Sequence, residues 1–252
     1  MYKVSVCVAT YNGELHIRQQ LDSILSQIGI DDEVVVFDDC STDATYDILK
    51  SYQSSDQRLK VFRNVTNIGH VKNFERALKN SFGDIIILSD QDDIWSNDKY
   101  REVIQILEHD QSVAMVYHAL KKIDSCGHAI DPSTSFSNRQ IRVDRMRFIL
   151  VQFFSFKVFG CSMAFRRQNI NLALPFPRFL TYAHDHWITI LSALNSGVIY
   201  YDKPLTNYRQ HNYNVTPKHG LGICDKLKVR LYLLALTLIA IIRVIKNRIA
   251  VK

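Results

Sequence analysis

Cysteine is scarce in this chain, and its placement excludes two kinds of structural cross-link. The sequence has 252 residues and five cysteines, at Cys7, Cys40, Cys126, Cys161 and Cys224. They form no Cys-x-x-Cys pair and have no histidine partners at zinc-ligand spacing, so we expect no structural metal. An odd number of widely spaced cysteines makes no disulfide framework, and it favours a reducing compartment.

Two other signals are missing. No Gly-x-Gly-x-x-Gly follows any strand-like run, which argues against a dinucleotide-dependent oxidoreductase. The apolar run of residues 4–10 is too short, and too soon followed by polar residues, to be the core of a signal peptide. We therefore expect the chain to begin as a cytoplasmic protein.

With 47% hydrophobic and 22% charged residues, its composition is that of a globular protein and excludes a disordered or collagen-like chain.

Acidic residues are nearly absent from the end of the chain. Residues 218–252 contain eight Lys and Arg against one acidic residue, whereas residues 1–217 contain 23 against 24. The body is therefore close to neutral, and it has no stripe of basic residues interleaved with aromatic ones. The basic tail is too apolar for a nucleic-acid surface, so we expect no nucleic-acid partner.

The tail contains a run of twelve uncharged residues, 231–242, with basic residues on both sides. As a helix this run is about 18 Å long, whereas the hydrocarbon core of a bilayer is about 30 Å thick. It is too short to span a membrane comfortably. We expect a helix that lies in an anionic cytoplasmic leaflet, or alternatively one that packs on the body or on another subunit.

The body of the chain alternates between strand-like and helix-like segments. Apolar runs predict strands at residues 4–10, 33–38, 59–63, 84–89 and 113–117. Helical periodicity and capping residues predict helices at 14–27, from the cap at 41–43 to about residue 52, at 73–81 and at 97–108. Continuous apolar strands followed by helices indicate an α/β fold with a mostly parallel sheet covered on both faces.

Polar residues follow three of these strands. In open α/β sheets, ligands bind beyond the carboxyl ends of the strands, so we expect these residues to converge on one edge. The clusters are Thr10-Tyr11-Asn12 after the first strand, Asp38-Asp39 after the second, and Asp90-Gln91-Asp92-Asp93 after the fourth.

The third cluster predicts a metal site. Asp90, Asp92 and Asp93 place three carboxylates within four residues, and a divalent cation relieves their repulsion best at the end of a buried strand. A hard cation such as Mg²⁺ or Mn²⁺ would fill its remaining positions with water and substrate phosphate. The alternatives are a solvated acidic turn, or a helix N-terminus that favours negative charge.

The same segments resemble the family 2 glycosyltransferases with the GT-A fold. The similar motifs are Val8-Ala-Thr-Tyr-Asn-Gly13, Phe37-Asp-Asp-Cys-Ser-Thr-Asp43, Asn67-Ile-Gly69 and Asp90-Gln-Asp-Asp93. Further on, Gly160-Cys-Ser-Met-Ala-Phe165, His184-Asp-His-Trp187 and Tyr208-Arg-Gln-His211 resemble the branch that contains rhamnosyltransferases and similar enzymes of surface polysaccharide assembly. The resemblance implies a Rossmann-like GT-A domain at 1–217, with a nucleotide-sugar-binding half at 1–118 and an acceptor-binding half at 119–217. The basic, apolar helix of 218–252 follows this domain.

The resemblance also implies roles in donor binding. Thr10 and Tyr11 would lie against the nucleotide base, and Asp38 or Asp39 would accept the imide N–H of uracil or thymine. Because a carboxylate cannot pair in this way with cytosine, a UDP- or dTDP-sugar is expected. Helix capping is the alternative for the two aspartates, and an exposed helix lysine is the alternative for Lys72. The implied nucleotide-sugar contacts are Thr10, Tyr11, Asn12, Asp38, Asp39, Asn67, Gly69, Lys72, Asp90, Gln91 and Arg209.

For catalysis, the resemblance implies a divalent Mn²⁺ or Mg²⁺ and one base. Asp92 would be the direct metal ligand, and Asp185 would take the proton from the acceptor hydroxyl in an inverting single displacement. A plain helix-terminal acid is the alternative for Asp185. Asp90, Asp93 and His211 would assist at the metal, with simple hydrogen bonding as the alternative for His211. The implied acceptor contacts are Gly160, Cys161, His184 and Trp187, with an ordinary core position as the alternative for Trp187.

These expectations describe an inverting, metal-dependent hexosyltransferase that acts on a glycan, in particular a lipid-linked one, at the inner face of the cell membrane. The oligomeric state cannot be predicted from the sequence. Two other functions fit part of it. One is a nucleotide-sugar-binding subunit without turnover. The other is a haloacid-dehalogenase-like phosphatase, which would use Asp90 as nucleophile, but that class carries its Asp-x-Asp on the first strand.

Overall fold

The computed structural model describes residues 2–154, 158–211 and 223–250. Its strands are β1 (Val4–Thr10), β2 (Glu33–Asp38), β3 (Leu59–Arg63), β4 (Ile85–Ser89), β5 (Ile94–Trp95), β6 (Val113–Ile123), β7 (Gln140–Arg142), β8 (Met163–Arg166) and β9 (Gly197–Arg209). Its helices are α1 (Ile17–Leu25), α2 (Thr45–Ser55), α3 (His70–Lys79), α4 (Lys99–His109), α5 (Arg145–Phe154), α6 (Arg167–Ala173), α7 (His184–Asn195) and α8 (Ile223–Ala250). A 3₁₀ turn at Gly160–Ser162 precedes β8.

Within the described residues, the strands form one nine-stranded sheet in the order β3-β2-β1-β4-β8-β6-β9-β5, with β7 paired to β9. Strands β1 to β4 are mutually parallel, as the apolar runs predict. Register aligns Thr10 with Asp38, and Val8 with Ser89, so the carboxyl ends of β1, β2 and β4 lie side by side. This alignment brings the three polar clusters to one edge.

The sheet is mixed beyond β4. Strand β8 runs antiparallel to both β4 and β6, whereas the long strand β9 runs parallel to β6. The short strands β5 and β7 pair antiparallel with β9. Residues on both sides of position 118 therefore share one sheet, and their division into donor and acceptor halves stays a prediction. The predicted boundary at residue 217 lies outside the described residues.

Two apolar layers hold the helices against the sheet. Successive residues of β1 point to opposite faces, so that Val6 and Val8 pack with α1, α2 and α4, whereas Cys7 packs with the layer that contains α3 and α5 to α8. Both faces of the sheet are therefore covered, and little of the central strands is exposed. The remaining open edge is the one that carries the polar clusters.

Helices α1 and α3 each begin three residues away from the predicted start. Helix α1 begins at Ile17, because residues 14–16 form a turn whose Glu14 carboxylate accepts a hydrogen bond from Ala44 N, 2.9 Å away. Helix α3 begins at His70, three residues earlier than predicted. Gly69 has φ +85°, a conformation that suits glycine and turns the chain directly into the helix. Lys72 therefore lies in the first turn of α3.

Helix α8 packs on the body along one face. Its buried residues Leu233, Leu236, Ala240 and Val244 belong to the same apolar layer as α7. Arg243 donates hydrogen bonds to carbonyl oxygens of α6 and of the segment that follows it. One face of α8 therefore packs on the body, as one of the two expectations for this segment states, and membrane binding of the helix stays a prediction. Within residues 2–154, 158–211 and 223–250, no helix combines the length and the low charge that crossing a bilayer requires.

The opposite face of α8 is exposed and apolar. Its large aliphatic side chains, between 45% and 69% exposed, recur every three or four residues, as expected for one side of a helix. We call this the outer stripe of α8; it consists of Leu227, Leu231, Leu234, Leu238, Ile242, Ile245 and Ile249.

Candidate active site

The ends of β1 and β4 are joined by a glutamine. The side chain of Gln91 accepts a hydrogen bond from Tyr11 N at 2.8 Å and donates one to Tyr11 O at 3.0 Å. Gly13 makes this approach possible, since a Cβ on Gly13 would lie 2.4 Å from Gln91 Oε1. The glycine in the first motif is therefore needed for close packing of two segments of the site.

Asp38 and Asp39 are buried and accept hydrogen bonds from different elements. Asp38 accepts from Ser41 N at 3.0 Å and from Thr10 Oγ1 at 3.2 Å, which ties β1 to β2. Asp39 accepts from Asn64 Nδ2, Ile68 N and Gly69 N, at distances between 2.7 and 2.9 Å. A carboxylate has about four acceptor positions, so Asp39 keeps one for a further donor. Recognition of a base by either residue stays a prediction.

Residues near the ends of β1 and β2 also hold each other in place. Asn12 Oδ1 accepts a hydrogen bond from Thr42 N at 2.8 Å, and Asn67 Oδ1 accepts one from Gly69 N at 3.1 Å. Lys72 pairs with Glu75, with 2.9 Å between Nζ and Oε2, and its side chain is 41% exposed. Such an ion pair is typical of a lysine on the surface of a helix. A contact of Lys72 with a diphosphate stays a prediction.

The acidic segment after β4 carries strong mutual repulsion. Burial, followed by the charges of Asp93, Asp92 and Asp185, raises the pKa of Asp90 well above its ordinary value. Burial and the charge of Asp92 also raise the pKa of Asp93. Asp93 Oδ1 accepts a hydrogen bond from Arg209 N at 3.0 Å, and the Cys161 thiol lies close enough to donate to the same carboxylate. Closely spaced carboxylates of this kind favour a bound cation.

His211 reaches the same segment from the end of β9. Its Nε2 lies 2.7 Å from Asp92 Oδ2, and its ring stacks on that of His16, with 5.7 Å between ring centroids. A carboxylate oxygen and an imidazole nitrogen at this separation, beside Asp90, suit Mn²⁺, and they also accommodate Mg²⁺. The residues present therefore fit the divalent cation that the resemblance implies.

Arg209 is buried and holds the acidic segment in place. Its guanidinium donates to the carbonyl oxygens of Asp92 at 2.7 Å and Ser125 at 2.9 Å, and to Gln19 Oε1 at 2.8 Å. These bonds connect α1, the acidic segment and the end of β6. The structure thus gives Arg209 a positioning role, and its predicted contact with phosphate remains untested.

A buried lysine lies below the acidic segment and was not found by sequence reasoning. Lys99 Nζ donates to Cys161 O at 2.8 Å and to Thr206 Oγ1 at 2.9 Å, and it lies 4.4 Å from the centre of the Trp95 ring. Burial lowers its pKa to about 8, against the opposing attraction of nearby acidic groups that include Asp93. Helix α4 has the pattern of an ordinary amphipathic helix, so nothing in the sequence marks Lys99 as buried.

Asp185 stands at the first turn of α7 and faces the acidic segment. Ala183, with φ +62°, turns the chain into the helix, and Asp185 Oδ1 accepts a hydrogen bond from His186 N at 2.8 Å. Burial raises the pKa of Asp185 to about 6, although backbone hydrogen bonds, including one from Gly160, lower it. The negative charge of Asp185 also contributes to the raised pKa of Asp90. A carboxylate with this pKa accepts protons readily near neutral pH.

The predicted acceptor residues divide into two groups. Gly160, Cys161 and His184 lie beside Asp185 and the acidic segment, and the ligand atoms of Asp90, Asp93 and Cys161 lie within 4.8 Å of one another. Burial, followed by nearby carboxylates, raises the pKa of the Cys161 thiol well above its ordinary value, so the thiol is neutral.

Trp187 does not belong with these residues. It is fully buried, donates from Nε1 to Ala173 O at 3.1 Å, and packs under the Arg243 guanidinium of α8. The prediction that Trp187 lines an acceptor platform is corrected: it is a core residue, because the inner face of α7 is covered by α6 and α8.

Residues 5–172 match the family model described as glycosyl transferase family 2. The chain belongs to this family. Among its relatives, the dTDP-rhamnosyl transferase RfbG of Shigella flexneri is 29% identical over 244 residues, which cover 88% of this chain and 77% of RfbG. The poly(ribitol-phosphate) beta-N-acetylglucosaminyltransferase TarS of Staphylococcus aureus is 30% identical over 203 residues, which cover 79% of this chain and 34% of TarS. The chain thus spans about a third of the length of TarS.

Solved structures agree on the fold. The crystal structure of S. aureus TarS residues 1–349 with UDP-GlcNAc superposes with a TM-score of 0.73 at 24% identity, covering 93% of this chain and 66% of that one. GalNAc-T7 with UDP, GalNAc and Mn²⁺ superposes with a TM-score of 0.70 at 12% identity, covering 93% of this chain and 48% of that one. The sheet described above is therefore that of the GT-A glycosyltransferases, as the sequence motifs predict.

Proposed function

We propose that this glycosyltransferase moves a sugar from a UDP- or dTDP-sugar to a hydroxyl of a cell-surface glycan, with inversion at the anomeric carbon. The observation that carries the proposal is the position of Asp185, a carboxylate with a raised pKa, opposite the acidic segment that meets His211. The activities named for RfbG and TarS support a nucleotide-sugar donor and a polymer of the cell surface as acceptor.

The donor would lie along the open edge of the sheet. Thr10, Tyr11 and the remaining acceptor position of Asp39 would contact the base. The diphosphate would then extend towards Asp92 and His211, and the sugar would lie between these residues and Asp185. A divalent cation held by Asp92 and His211, with Asp90 beside it, would supply positive charge to the leaving diphosphate.

In the proposed reaction the acceptor hydroxyl gives its proton to the carboxylate of Asp185. The hydroxyl oxygen forms a bond to the sugar C1 while the bond from C1 to the phosphate oxygen breaks. The nucleoside diphosphate leaves with both electrons of that bond, on the face opposite the incoming oxygen. The buried carboxylate of Asp93 accepts a hydrogen bond from Arg209 N. This bond holds the acidic segment against the end of β9.

We propose that the outer stripe of α8 binds an anionic membrane at its cytoplasmic face. The stripe has seven exposed aliphatic residues, and residues 223–250 contain six Lys and Arg against one Asp. Lys228 and Lys246 lie exposed beside its two ends. Each basic residue near an anionic surface contributes roughly 1 kcal/mol. Pairing of two copies through this stripe would instead bring like charges together, which disfavours a dimer.

A donor screen tests the proposed function. The full chain with Mn²⁺ would be screened against UDP-, dTDP-, GDP- and CMP-sugars by thermal shift, and then against lipid-linked glycan acceptors by mass spectrometry of the product. We expect stabilisation by a UDP- or dTDP-sugar, and release of the nucleoside diphosphate only when an acceptor is present. Binding of that donor without turnover on any acceptor would favour a silent binding subunit. Selective binding of GDP- or CMP-sugars would refute the assignment of the base.

A further inference from the structure

His184 is a buried imidazole whose nitrogens have no hydrogen-bond partner among the residues that the structure describes. The side chain is only 7% exposed, and neither Nδ1 nor Nε2 donates to or accepts from a described neighbour. Buried polar atoms are nearly always paired, because burial removes the hydrogen bonds that water would make. A buried ring with two such atoms, next in sequence to Asp185, therefore calls for a ligand.

The surroundings of His184 fix its orientation without using its nitrogens. The ring stacks on Phe74, with 4.5 Å between centroids and 24° between planes, and it meets the edge of His70 at 5.8 Å. On another side lies Gly160, where an added Cβ would come 3.3 Å from His184 Nε2. The absence of a side chain at Gly160 thus keeps His184 Nε2 free of a close contact from residue 160.

His184 lies at the end of the proposed donor site that carries Asp185, and its ring contacts His70 near the other end. His70 directly follows Gly69, whose N donates to Asp39 at 2.8 Å. At the other end, Asp185 directly follows His184 and accepts a backbone hydrogen bond from Gly160. The transferred sugar carries the reacting carbon, so a donor with its base near Asp39 and that carbon near Asp185 must place its sugar ring at the Asp185 end, beside His184.

We propose that the imidazole of His184 binds a hydroxyl group of the sugar that is transferred, and so selects the donor. The inference rests on the proposed function and adds a specificity-determining residue to it. A neutral imidazole has one donor and one acceptor nitrogen, and a sugar hydroxyl likewise donates and accepts. Burial lowers the pKa of His184 to about 3, so the ring is neutral across the physiological range. An apolar analogue that lacks the hydroxyl would leave the nitrogens unpaired and would be rejected.

Two substitutions separate hydrogen bonding from packing. His184→Phe keeps a flat ring on Phe74 but removes both nitrogens, whereas His184→Gln keeps a donor and an acceptor. We expect His184→Phe to lower kcat/KM for the donor by roughly tenfold or more, and His184→Gln to stay within about threefold of wild type. The affinity for the free nucleoside diphosphate should change by less than about twofold in both variants, because that part of the donor does not reach His184.

His186→Phe is the matched control. It replaces a buried histidine on the same helix, two residues away, with the same change of atoms. We expect its donor kcat/KM to stay near that of wild type, with any effect confined to the melting temperature. If His184→Phe leaves the donor kinetics unchanged, raises only the KM of the acceptor, or weakens free nucleotide as much as nucleotide sugar, the inference is wrong.

A second measurement does not depend on turnover. In ¹⁵N-labelled protein, the imidazole nitrogens of His184 should shift when the nucleotide sugar is added, and should shift much less when the matching nucleoside diphosphate is added. If the nucleotide sugar binds without moving these resonances, the inference fails while the proposed function stands. If no nucleotide sugar binds at all, the proposed function fails, and this inference falls with it.

Discussion

The Nε2 atom of His211 lies 2.7 Å from Oδ2 of Asp92, although the two residues are 119 positions apart in the chain. Strand β9 makes this meeting possible, since it ends at Arg209, and Arg209 N donates to Asp93 Oδ1 at 3.0 Å. The hydrogen bond fixes the end of β9 against the acidic segment, so that His211 is delivered beside Asp92. Two motifs that are far apart in the chain therefore form one candidate metal site.

We expect Asp92→Asn to weaken Mn²⁺ binding at least about tenfold, or about 1.4 kcal/mol. The substitution removes one charged ligand oxygen and the partner of His211, while an amide keeps the shape of the side chain. His211→Gln should weaken binding in the same direction. The measurement is titration of Mn²⁺ followed by electron paramagnetic resonance of the free ion, which requires no turnover.

Asp98→Asn is the control for charge. Asp98 lies six residues after Asp92 and pairs with Arg101 at 2.6 Å, so its substitution removes the same charge without touching the site. Mn²⁺ affinity should stay within about twofold in this variant. Equal losses in Asp98→Asn and Asp92→Asn would show that binding depends on net charge alone.

Mn²⁺ should stabilise the protein more as the pH rises from about 5 to about 7.5. The raised pKa values of Asp90, Asp93 and Asp185 mean that these carboxyls bind protons more tightly in the folded than in the unfolded state. When the pH is below 3.8, the ordinary pKa of this side chain, these carboxyls add fully to the free energy of unfolding. For Asp185 this contribution is lost as the pH rises through about 6. A cation competes with protons for the same oxygens, so the stabilisation by Mn²⁺ increases as the pH rises.

The measurement is the difference in melting temperature with Mn²⁺ and with a chelator at each pH. Other ionisable groups, such as Glu33 and Glu75, contribute equally to both arms and cancel in this difference. A difference that is constant across the pH range, or largest at the acid end, would contradict the linkage between metal binding and the acidic segment.

Asp185→Asn should lower kcat by a factor of about 10² to 10⁴, the usual contribution of general-base catalysis. The amide keeps the hydrogen bonds that position the side chain but cannot accept the proton. In wild type, kcat/KM should fall as the pH decreases below about 6, because protonation of Asp185 removes the base. Steady-state kinetics at several pH values, with donor and metal saturating, would measure both effects.

Donor and Mn²⁺ affinities of Asp185→Asn should remain within a few-fold of wild type, since other residues hold the diphosphate. The anomeric configuration of the product, read by nuclear magnetic resonance, should be opposite to that of the donor. Retention of configuration would exclude a single displacement. Turnover of Asp185→Asn near the wild-type rate would leave Asp185 as an ordinary helix-terminal acid.

The strands and the edge of the site could be predicted because they depend on local patterns. Apolar runs such as 85–88, followed by Ser89 and Asp90, indicate both a buried strand and its polar end. Glu14 and Asn73 show the limit of this reasoning. Glu14, the predicted start of the first helix, lies in a turn before the observed helix, and Asn73 lies inside a helix that begins earlier than predicted. Contacts from the start of α2 and a glycine at positive φ decide these boundaries.

Contacts between distant segments could not be predicted. Lys99 is buried by Cys161 and Thr206, which come from the second half of the chain, so no local pattern marks it. The motif of Trp187 stands beside Asp185 and suggests an acceptor contact, yet the two residues are two positions apart on α7 and so point to opposite sides of the helix. The antiparallel direction of β8 could not be predicted either, because a strand of four residues has no sequence pattern that distinguishes parallel from antiparallel pairing.

The outer stripe of α8 gives the last prediction. Leu231→Gln with Leu238→Gln should reduce binding to vesicles that contain anionic lipid by roughly tenfold, because each change removes an apolar side chain from the lipid contact. Both residues are more than half exposed, at 59% and 52%, so the inner face that packs on α7 is kept and the melting temperature should change little. Vesicle co-sedimentation and a thermal melt of the same samples would measure the two quantities.

Ile30→Gln and Val65→Gln together form the matched control, since both side chains are exposed, at 85% and 93%, but lie on the body away from α8. This control should bind vesicles as wild type does. Binding of wild type should also fall with salt and with loss of anionic lipid, because the basic residues beside the stripe act through screened charge. If the α8 variant binds as tightly as wild type, the stripe does not face lipid. If wild type instead sediments as a dimer that the α8 substitutions dissociate, the stripe covers a second copy of the chain.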